Sequence, residues 1–155
     1  MPRLEVISIC KPLCPDWREA FKQYASVPDD GRDAMLDSML RSALLRVQEY
    51  ADRAIVGTNL RLTAKVPDDG IIVLYEGGGD VTSVTDANGQ EVAYDPLPGH
   101  RIQVAAPGAE VVILYTTSPL EGDTEYLMPA VYRYATALYD GEDQKTLDSI
   151  LAETR

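Results

Sequence analysis

The sequence lacks several features that would assign the chain to a familiar functional class. No apolar run approaches the ~20 residues that a membrane-spanning helix needs, so we expect no membrane partner. Two cysteines and one histidine are too few for a zinc site built from Cys and His pairs. Phenylalanine and tryptophan occur once each, so the nine tyrosines supply most of the aromatic surface.

Basic side chains are also scarce, with 14 Lys and Arg against 25 Asp and Glu and a net charge of −11. The excess lies in residues 58–155, which carry 6 basic and 16 acidic side chains. Such a surface is unsuited to gripping DNA, because affinity for the phosphate backbone comes largely from Lys and Arg displacing counterions. The acidic charge either keeps the protein soluble or forms a surface that nucleic acid passes without adhering; composition alone favours solubility.

No motif in the sequence predicts catalysis or cofactor binding. Gly77–Gly79 lies between two predicted strands and lacks the Gly-Lys-Ser/Thr ending of a phosphate-binding loop, which indicates a loop tip. His100 follows Pro-Gly without a nucleophile motif elsewhere, and is interpreted as an exposed turn residue. Cys10 and Cys14 are interpreted as free thiols in a reducing compartment. We therefore expect no enzyme activity, no cofactor and no metal site.

The hydrophobic periodicity predicts an α+β fold, in which a helical core of about four helices carries an antiparallel β-sheet insertion. Spacings of three and four residues mark the helices, and alternation marks five or six short strands. The length of 155 residues suits a single domain. The predicted helices lie at about 16–26, 33–56, 128–140 and 143–153, and the β insertion at about 59–118, within one domain spanning 1–155.

Capping signals predict where these helices begin and end. Asp16 and Asp143 are expected N-caps, and Pro129 suits the first position of the third helix. Gly57 is the expected C-cap of the long second helix. Asn88-Gly89 is a strong signal for a β-hairpin turn.

Tyrosines cluster around the third predicted helix, at Tyr126, Tyr132, Tyr134 and Tyr139. Tyr134 fits the apolar stripe that faces the core, whereas Tyr132 and Tyr139 fall on another face, seven residues apart. These two either pack on the sheet or belong to a subunit interface, where tyrosine is enriched. The last helix leaves the same two alternatives open for its apolar residues, which are Leu147, Ile150 and Leu151.

Short segments in a fixed order along the chain carry a family resemblance. They are an acidic-capped helix at 16–24, an acidic turn at 28–31, a long helix at 35–50, the hairpin VTSVTDANG at 81–89, the Arg-Ile strand at 101–102, the strand VILYT at 112–116, a Met-Pro helix start at 128–131 and a Leu-Tyr-Asp helix end at 138–140. In order and spacing they resemble the head–tail connector (adaptor) proteins of tailed bacteriophages and prophages. The chain departs from that pattern where Ser118-Pro119 replaces a glycine and where Glu76–Gly79 replaces a proline-rich stretch.

The resemblance implies a structural, non-catalytic role in the virion. Family members form a homo-oligomeric ring, commonly dodecameric, in the neck between capsid and tail, and assemble in the bacterial host cytoplasm. The ring lies below the portal protein, extends the DNA channel, and docks the tail or stopper protein. During genome packaging and ejection, DNA passes through without specific binding.

This interpretation assigns expected roles to two groups of residues. The subunit or portal interface is expected to include Tyr132, Tyr139, Leu147, Ile150 and Leu151. The acidic, channel-facing candidates are Glu142, Asp143 and Asp148. A lumen with the same charge as DNA would repel the phosphates weakly and let the genome slide past.

Three other functions remain open from the sequence. A tail-terminator or another neck protein would also form a ring, so stoichiometry and portal binding separate it from a connector. A small cytoplasmic module with a β-barrel-like ligand site would be a stable monomer that melts at a higher temperature with its ligand. An enzyme would need a pocket that gathers His100 with carboxylates.

Overall fold

The computed structural model describes residues 2–11, 13–28 and 31–154, and shows an α+β fold of four helices and two antiparallel sheets. The chain forms two compact units. The β unit comprises Met1–Cys10 and Val56–Pro119, and the helical unit comprises Lys11–Ile55 and Leu120–Arg155. The elements, in chain order, are β1 (Arg3–Ile9), α1 (Pro15–Ala25), α2 (Asp33–Ala51), β2 (Thr58–Lys65), β3 (Ile71–Val73), β4 (Gly79–Asp86), β5 (Tyr94–Leu97), β6 (Arg101–Val104), β7 (Glu110–Thr117), α3 (Asp123–Tyr139) and α4 (Gln144–Ala152).

The β unit contains a four-stranded sheet in the order β1-β2-β7-β4 and a three-stranded sheet in the order β3-β6-β5. Strict alternation in β2 and β7 buries every second side chain, so each strand contributes one face to a shared core. Residues of both sheets form that core: Leu60, Leu62, Ile72, Val84, Ile102, Val104, Val111, Ile113 and Tyr115. The six strands between residues 58 and 117 confirm the predicted β insertion. Residues 3–9 form strand β1, which pairs with β2.

Tyr115 explains why β3 is shorter than the apolar run at 71–75 suggests. Its buried hydroxyl accepts a hydrogen bond from the backbone N–H of Tyr75 and donates one to the Tyr75 carbonyl, both at 3.1 Å. The backbone of Tyr75 is therefore bonded to a side chain instead of a neighbouring strand. The strand ends at Val73.

The glycine segment at 77–79 is not a loose loop tip, which corrects the prediction from sequence. A Cβ atom on Gly78 would lie 2.7 Å from the Cβ of His100, and one on Gly79 would overlap the backbone carbonyl of Thr116. Gly79 is the first residue of β4 and is paired with Thr117 of β7. These glycines therefore permit close approach of neighbouring backbone and side chain. His100 itself is exposed with φ of 59°, as expected of a turn residue.

The predicted Asn-Gly hairpin turn is confirmed. The Asp86 carboxylate accepts hydrogen bonds from the backbone N–H groups of Asn88 and Gln90, at 2.9 and 3.0 Å. The returning chain makes a single bridge between Thr85 and Glu91 before β5 begins. The next strand is β5 at Tyr94–Leu97.

The helical unit is built around α2 and α3, which make its most extensive helix–helix contact. All four helices contribute buried apolar side chains, in keeping with the three-to-four-residue periodicity of the sequence. These include Phe21 from α1; Leu36, Leu40, Leu44 and Val47 from α2; Leu127, Val131 and Ala135 from α3; and Leu147 and Leu151 from α4.

The second helix ends earlier, and the third helix begins earlier, than the sequence predicts. The second helix ends at Ala51 instead of near residue 56, because Asp52 adopts a left-handed conformation with φ of 53°. The fully buried Gln48 side chain then accepts a hydrogen bond from the Ile55 N–H at 2.8 Å, which stabilises the turned chain. Gly57 is therefore not the C-cap; its carbonyl bonds to the Cys10 N–H in the β unit.

The third helix begins at Asp123, five residues earlier than predicted, and Pro129 lies inside it. A proline there removes the N–H that would bond to the carbonyl four residues earlier. Pro129 lies on the exposed side of α3, where water can take the place of that donor. Asp143 caps α4 as predicted, whereas Asp16 lies within α1, whose N-cap residue is Cys14.

Among residues 2–11, 13–28 and 31–154, no helix is both long enough and apolar enough to span a bilayer. Both cysteines are free and exposed. The single-domain organisation stays a prediction.

Candidate assembly surface

A stripe of tyrosines lies on the surface of the helical unit. Tyr24 of α1 and Tyr132 of α3 contact each other, with ring centroids 6.1 Å apart and planes tilted by 33°. Tyr24 is 51% exposed and Tyr132 is half-buried. Seven residues along α3, Tyr139 is also half-buried, and the Arg32 guanidinium lies 5.9 Å from its ring centroid. Tyr24, Arg32, Tyr132 and Tyr139 are called the tyrosine stripe below.

The stripe has the composition that dominates binding energy at protein interfaces. Tyrosine and arginine are enriched among interface residues whose removal costs the most affinity. Burial raises the pKa of Tyr132 above the usual value for a phenol, and the nearby Cys14 thiol acts in the same direction. The tyrosine rings of the stripe present apolar surface that a partner can desolvate at low cost.

The remaining predicted interface residues lie on α4. Leu147 and Leu151 are only 6% and 1% exposed, so within one chain they pack against the helical unit's own core. Ile150 is half-buried and keeps part of its surface accessible. Of the predicted set, Tyr132, Tyr139 and Ile150 thus retain surface that a neighbour could cover.

The acidic candidates follow the C-terminal end of α3. Glu142, Asp143 and Asp148 are all exposed. The Asp143 carboxylate accepts a hydrogen bond from the Thr146 N–H at 2.9 Å, which caps α4 and lowers the pKa of that carboxyl. Asp148 accepts a bond of 2.8 Å from the Gln144 side chain. Asp143 therefore has a local structural role whatever its part in assembly.

A second surface of the helical unit is a shallow groove between the start of α3 and the end of the chain. It consists of two adjoining hollows that share Tyr126, which is 65% exposed; Arg53 lines one of them and Arg133 lines the other. Both arginines are paired with carboxylates: Arg133 lies 2.6 Å from Glu153, and Arg53 lies 3.7 Å from Asp123. The groove therefore carries little uncompensated positive charge.

The β unit has its own shallow pocket, beside the turn that precedes β3. Asp68, Asp69 and Asp95 lie around it, with Tyr94 and Gln103. Within the part of the chain that the structure describes, no three His, Cys, Asp or Glu side chains come together as a metal site would require. His100 is not among the residues that line this pocket.

Sequence reasoning missed Tyr24 as a surface residue. Its spacing from Trp17 and Phe21 predicts the same inward face of α1, and Phe21 is indeed fully buried. Tyr24 lies in the last turn, one residue before the helix ends at Ala25, and is half uncovered there. Periodicity alone gives no signal for this, because it does not show how far the neighbouring helix extends.

Comparison with solved structures finds the same fold in chains of gene transfer agent (GTA) particles. One is a chain of the virion of a native GTA particle, with a TM-score of 0.67 at 19% identity over 98% of this chain and 94% of that chain. Another belongs to the neck of an empty GTA particle computed with C6 symmetry, with a TM-score of 0.66 at 18% identity over 99% of this chain and 95% of that chain. At such identities the shared property is the fold, and it includes both units.

No protein-family model matches the sequence, and no curated protein matches it.

Proposed function

We propose that this chain is a structural neck protein of a tailed phage or phage-like particle, and specifically a head–tail connector. The observation that carries the proposal is the fold shared, over 99% of this chain, with a chain from the neck of a GTA particle. The order of sequence segments that resembles the connector family supports the same assignment independently. The role is non-catalytic and needs no cofactor.

In this role the protein forms a closed ring below the portal protein. The GTA neck was computed with C6 symmetry, which fits a ring of six or of twelve copies. The connector resemblance favours twelve. A ring requires a head-to-tail contact in which two different surfaces of the same chain meet. The ring extends the DNA channel and offers a platform to the tail or stopper protein, within a virion neck assembled in the host cytoplasm.

The tyrosine stripe is the proposed centre of the protein interface, either between subunits or with the portal. Tyr132 and Tyr139 are the main contacts, with Ile150 at the margin. Leu147 and Leu151 are buried, so their role is to hold α4, and with it Ile150, against the rest of the helical unit. Tyr24 joins the predicted set because its ring contacts Tyr132.

The exposed carboxylates Glu142, Asp143 and Asp148 are the proposed lining of the channel. Neutralising them as E142Q/D143N/D148N leaves α4 capped, because asparagine is also a good N-cap. We expect rings to form normally and genome ejection to slow by at least about twofold, since a lumen without negative charge repels DNA less. Ejection is measured by the release of DNA from assembled particles.

A matched variant neutralises three exposed carboxylates elsewhere in the helical unit: Asp16, Glu121 and Glu125. It is expected to eject DNA at the normal rate. Unchanged packaging and ejection in the first variant, or an equal effect in both variants, would contradict the assignment of the channel.

A second candidate is a tail-terminator or another neck component, which the six-fold symmetry of the GTA neck also accommodates. Binding to the portal separates the two. A connector co-purifies with the portal oligomer when the two are expressed together, whereas a tail-terminator co-purifies with tail proteins only. Absence of the chain from both complexes would contradict a neck function altogether.

A further inference from the structure

Strands β1 and β4 are the two outer strands of the four-stranded sheet, and β1 offers an open edge. Among the described residues, β1 pairs with β2 alone, on one side. Its Val6 and Ile7 are 42% and 49% exposed, which is unusual for adjacent apolar residues on an edge strand. An unpaired apolar edge is a template for pairing with a strand of another chain. A bulge at Ile7 limits the regular part of the edge to Arg3–Val6.

This edge carries a small positive charge. The Glu5 carboxylate lies between two guanidinium groups, 2.9 Å from Arg3 and 3.5 Å from Arg61. One carboxylate therefore compensates two arginines, and all three side chains are partly exposed. In a chain with a net charge of −11, a basic patch at an open edge is distinctive.

The three-stranded sheet has two outer strands, β3 and β5. β5 contains Pro96, which has no N–H to donate, and β4 of the other sheet is met by the returning chain at Thr85–Glu91, so β3 is the second edge considered. The Gly70 carbonyl and the Leu74 N–H bond to the β6 side. Because backbone groups alternate in direction along a strand, those of Ile71 and Val73 point away from β6. The Asp69 carboxylate accepts a hydrogen bond from the outward N–H of Ile71. Val73 is 56% exposed. The outward backbone groups of Val73 have no partner strand in the described chain.

The β3 edge is acidic where the β1 edge is basic. Asp68 and Asp69 lie immediately before β3, and both are exposed. The one cation on the neighbouring strand β6 is Arg101, which is paired with Val73, so the two carboxylates still leave the edge net negative. Each edge has an exposed valine, Val6 or Val73, as the last residue of a regular stretch of four or three residues. The two edges are thus complementary in charge, apolar character and length.

We propose that β1 of one copy pairs with β3 of the next copy, so that sheets join from subunit to subunit around the ring. This inference rests on the proposed function, because it supplies the head-to-tail contact that a ring needs. A second copy is the favoured occupant because the chain itself carries the complementary edge. Pairing of β1 with β1 would instead give a closed dimer and leave both acidic edges unused.

The test joins the two edges with a thiol cross-linker. In a background with Cys10 and Cys14 replaced by serine, Val6 and Val73 are both changed to cysteine and treated with a short bismaleimide. The protein is cross-linked at high concentration, alone and in the presence of the portal protein. We expect a ladder of multimers extending beyond the dimer in denaturing gels, because every copy can react at both edges.

Single-cysteine variants and one mismatched pair act as controls. V6C alone and V73C alone are expected to stay monomeric, and so is V73C combined with Y126C, which uses an exposed site in the helical unit. Efficient dimers from V6C alone would show pairing of β1 with β1 and overturn the proposal. Absence of a ladder both with and without the portal would overturn it as well.

Charge reversal gives an independent readout. R3E or D68R alone is expected to lower the cross-linked multimer fraction by about tenfold, a change that corresponds to ~1.4 kcal/mol. The double variant R3E/D68R restores opposite charges and is expected to recover most of the ladder. A double variant no better than either single variant would contradict the charge pairing.

Binding to the portal distinguishes a failure of the edge pairing from a failure of the proposed connector function. Binding to the portal without a ladder would leave the connector function standing and reject the edge pairing. A ladder without portal binding would support the edge pairing and reject the connector function.

Discussion

Replacing Tyr132 by alanine is expected to abolish the ring or its binding to the portal, while leaving the helical unit folded. Tyr132 contacts Tyr24 and shares the outer face of α3 with Tyr139. Central aromatic residues of an interface typically contribute at least 2 kcal/mol, which corresponds to about a thirtyfold weaker contact. Every subunit of a ring carries the change, so the loss is repeated at every contact. Mass photometry measures the fraction of assembled protein, and circular dichroism checks the fold.

Tyr24→Ala separates assembly from stability, because the Tyr24 ring is 51% exposed and contributes less to the core. It is expected to weaken assembly in the same direction with little change in melting temperature. Tyr126→Ala is the matched control. Tyr126 lies in α3, as Tyr132 does, and is exposed, but it is not part of the stripe. Tyr132 and Tyr24 variants that both form rings and bind the portal normally would contradict the stripe as the interface. Loss of assembly from the Tyr126 variant alone would contradict it as well.

Replacing Gly79 by alanine is expected to lower the free energy of unfolding of the β unit by about 3 kcal/mol, at the upper end of the range for overpacked sites. The added Cβ would overlap the carbonyl oxygen of Thr116, a backbone atom in the middle of the sheet. Neither residue can move without disturbing the pairing of β4 with β7. Urea denaturation followed by circular dichroism measures the change.

Gly57→Ala provides the control for Gly79→Ala. Its Cβ would lie 3.3 Å from the carbonyl oxygen of Thr117, the residue next to Thr116, so only a small adjustment is required. Neither glycine has a positive φ, so backbone strain does not separate the two variants. We expect the Gly57 variant to stay within about 1 kcal/mol of the original chain. Equal destabilisation by both variants would show that steric overlap at Gly79 is not the cause.

The β insertion could be predicted from sequence because its signals are local. Leu60, Leu62 and Ala64 alternate with polar residues, and Asn88-Gly89 specifies a turn through its own backbone preferences. The end of β3 could not be predicted, because it depends on the Tyr115 hydroxyl, forty residues away, bonding to Tyr75. The early end of α2 likewise depends on the buried side chain of Gln48.

The candidate surface was partly predictable, because helical spacing is also a local signal. Tyr132 and Tyr139 are displaced by helical spacing from the buried stripe that includes Tyr134, and this marked them as surface candidates. The spacing does not reveal that Tyr24 of α1 lies against Tyr132, since that contact arises from packing between helices. The complementary open edges were not predictable either, because strand order sets them and hydrophobic alternation does not.

The most direct test of a connector function is native mass spectrometry of the chain alone and with the portal protein of the same genome. A connector is expected to form a ring, or an assembly on the portal with one copy of this chain for each portal subunit. A persistent monomer that does not bind the portal would contradict it.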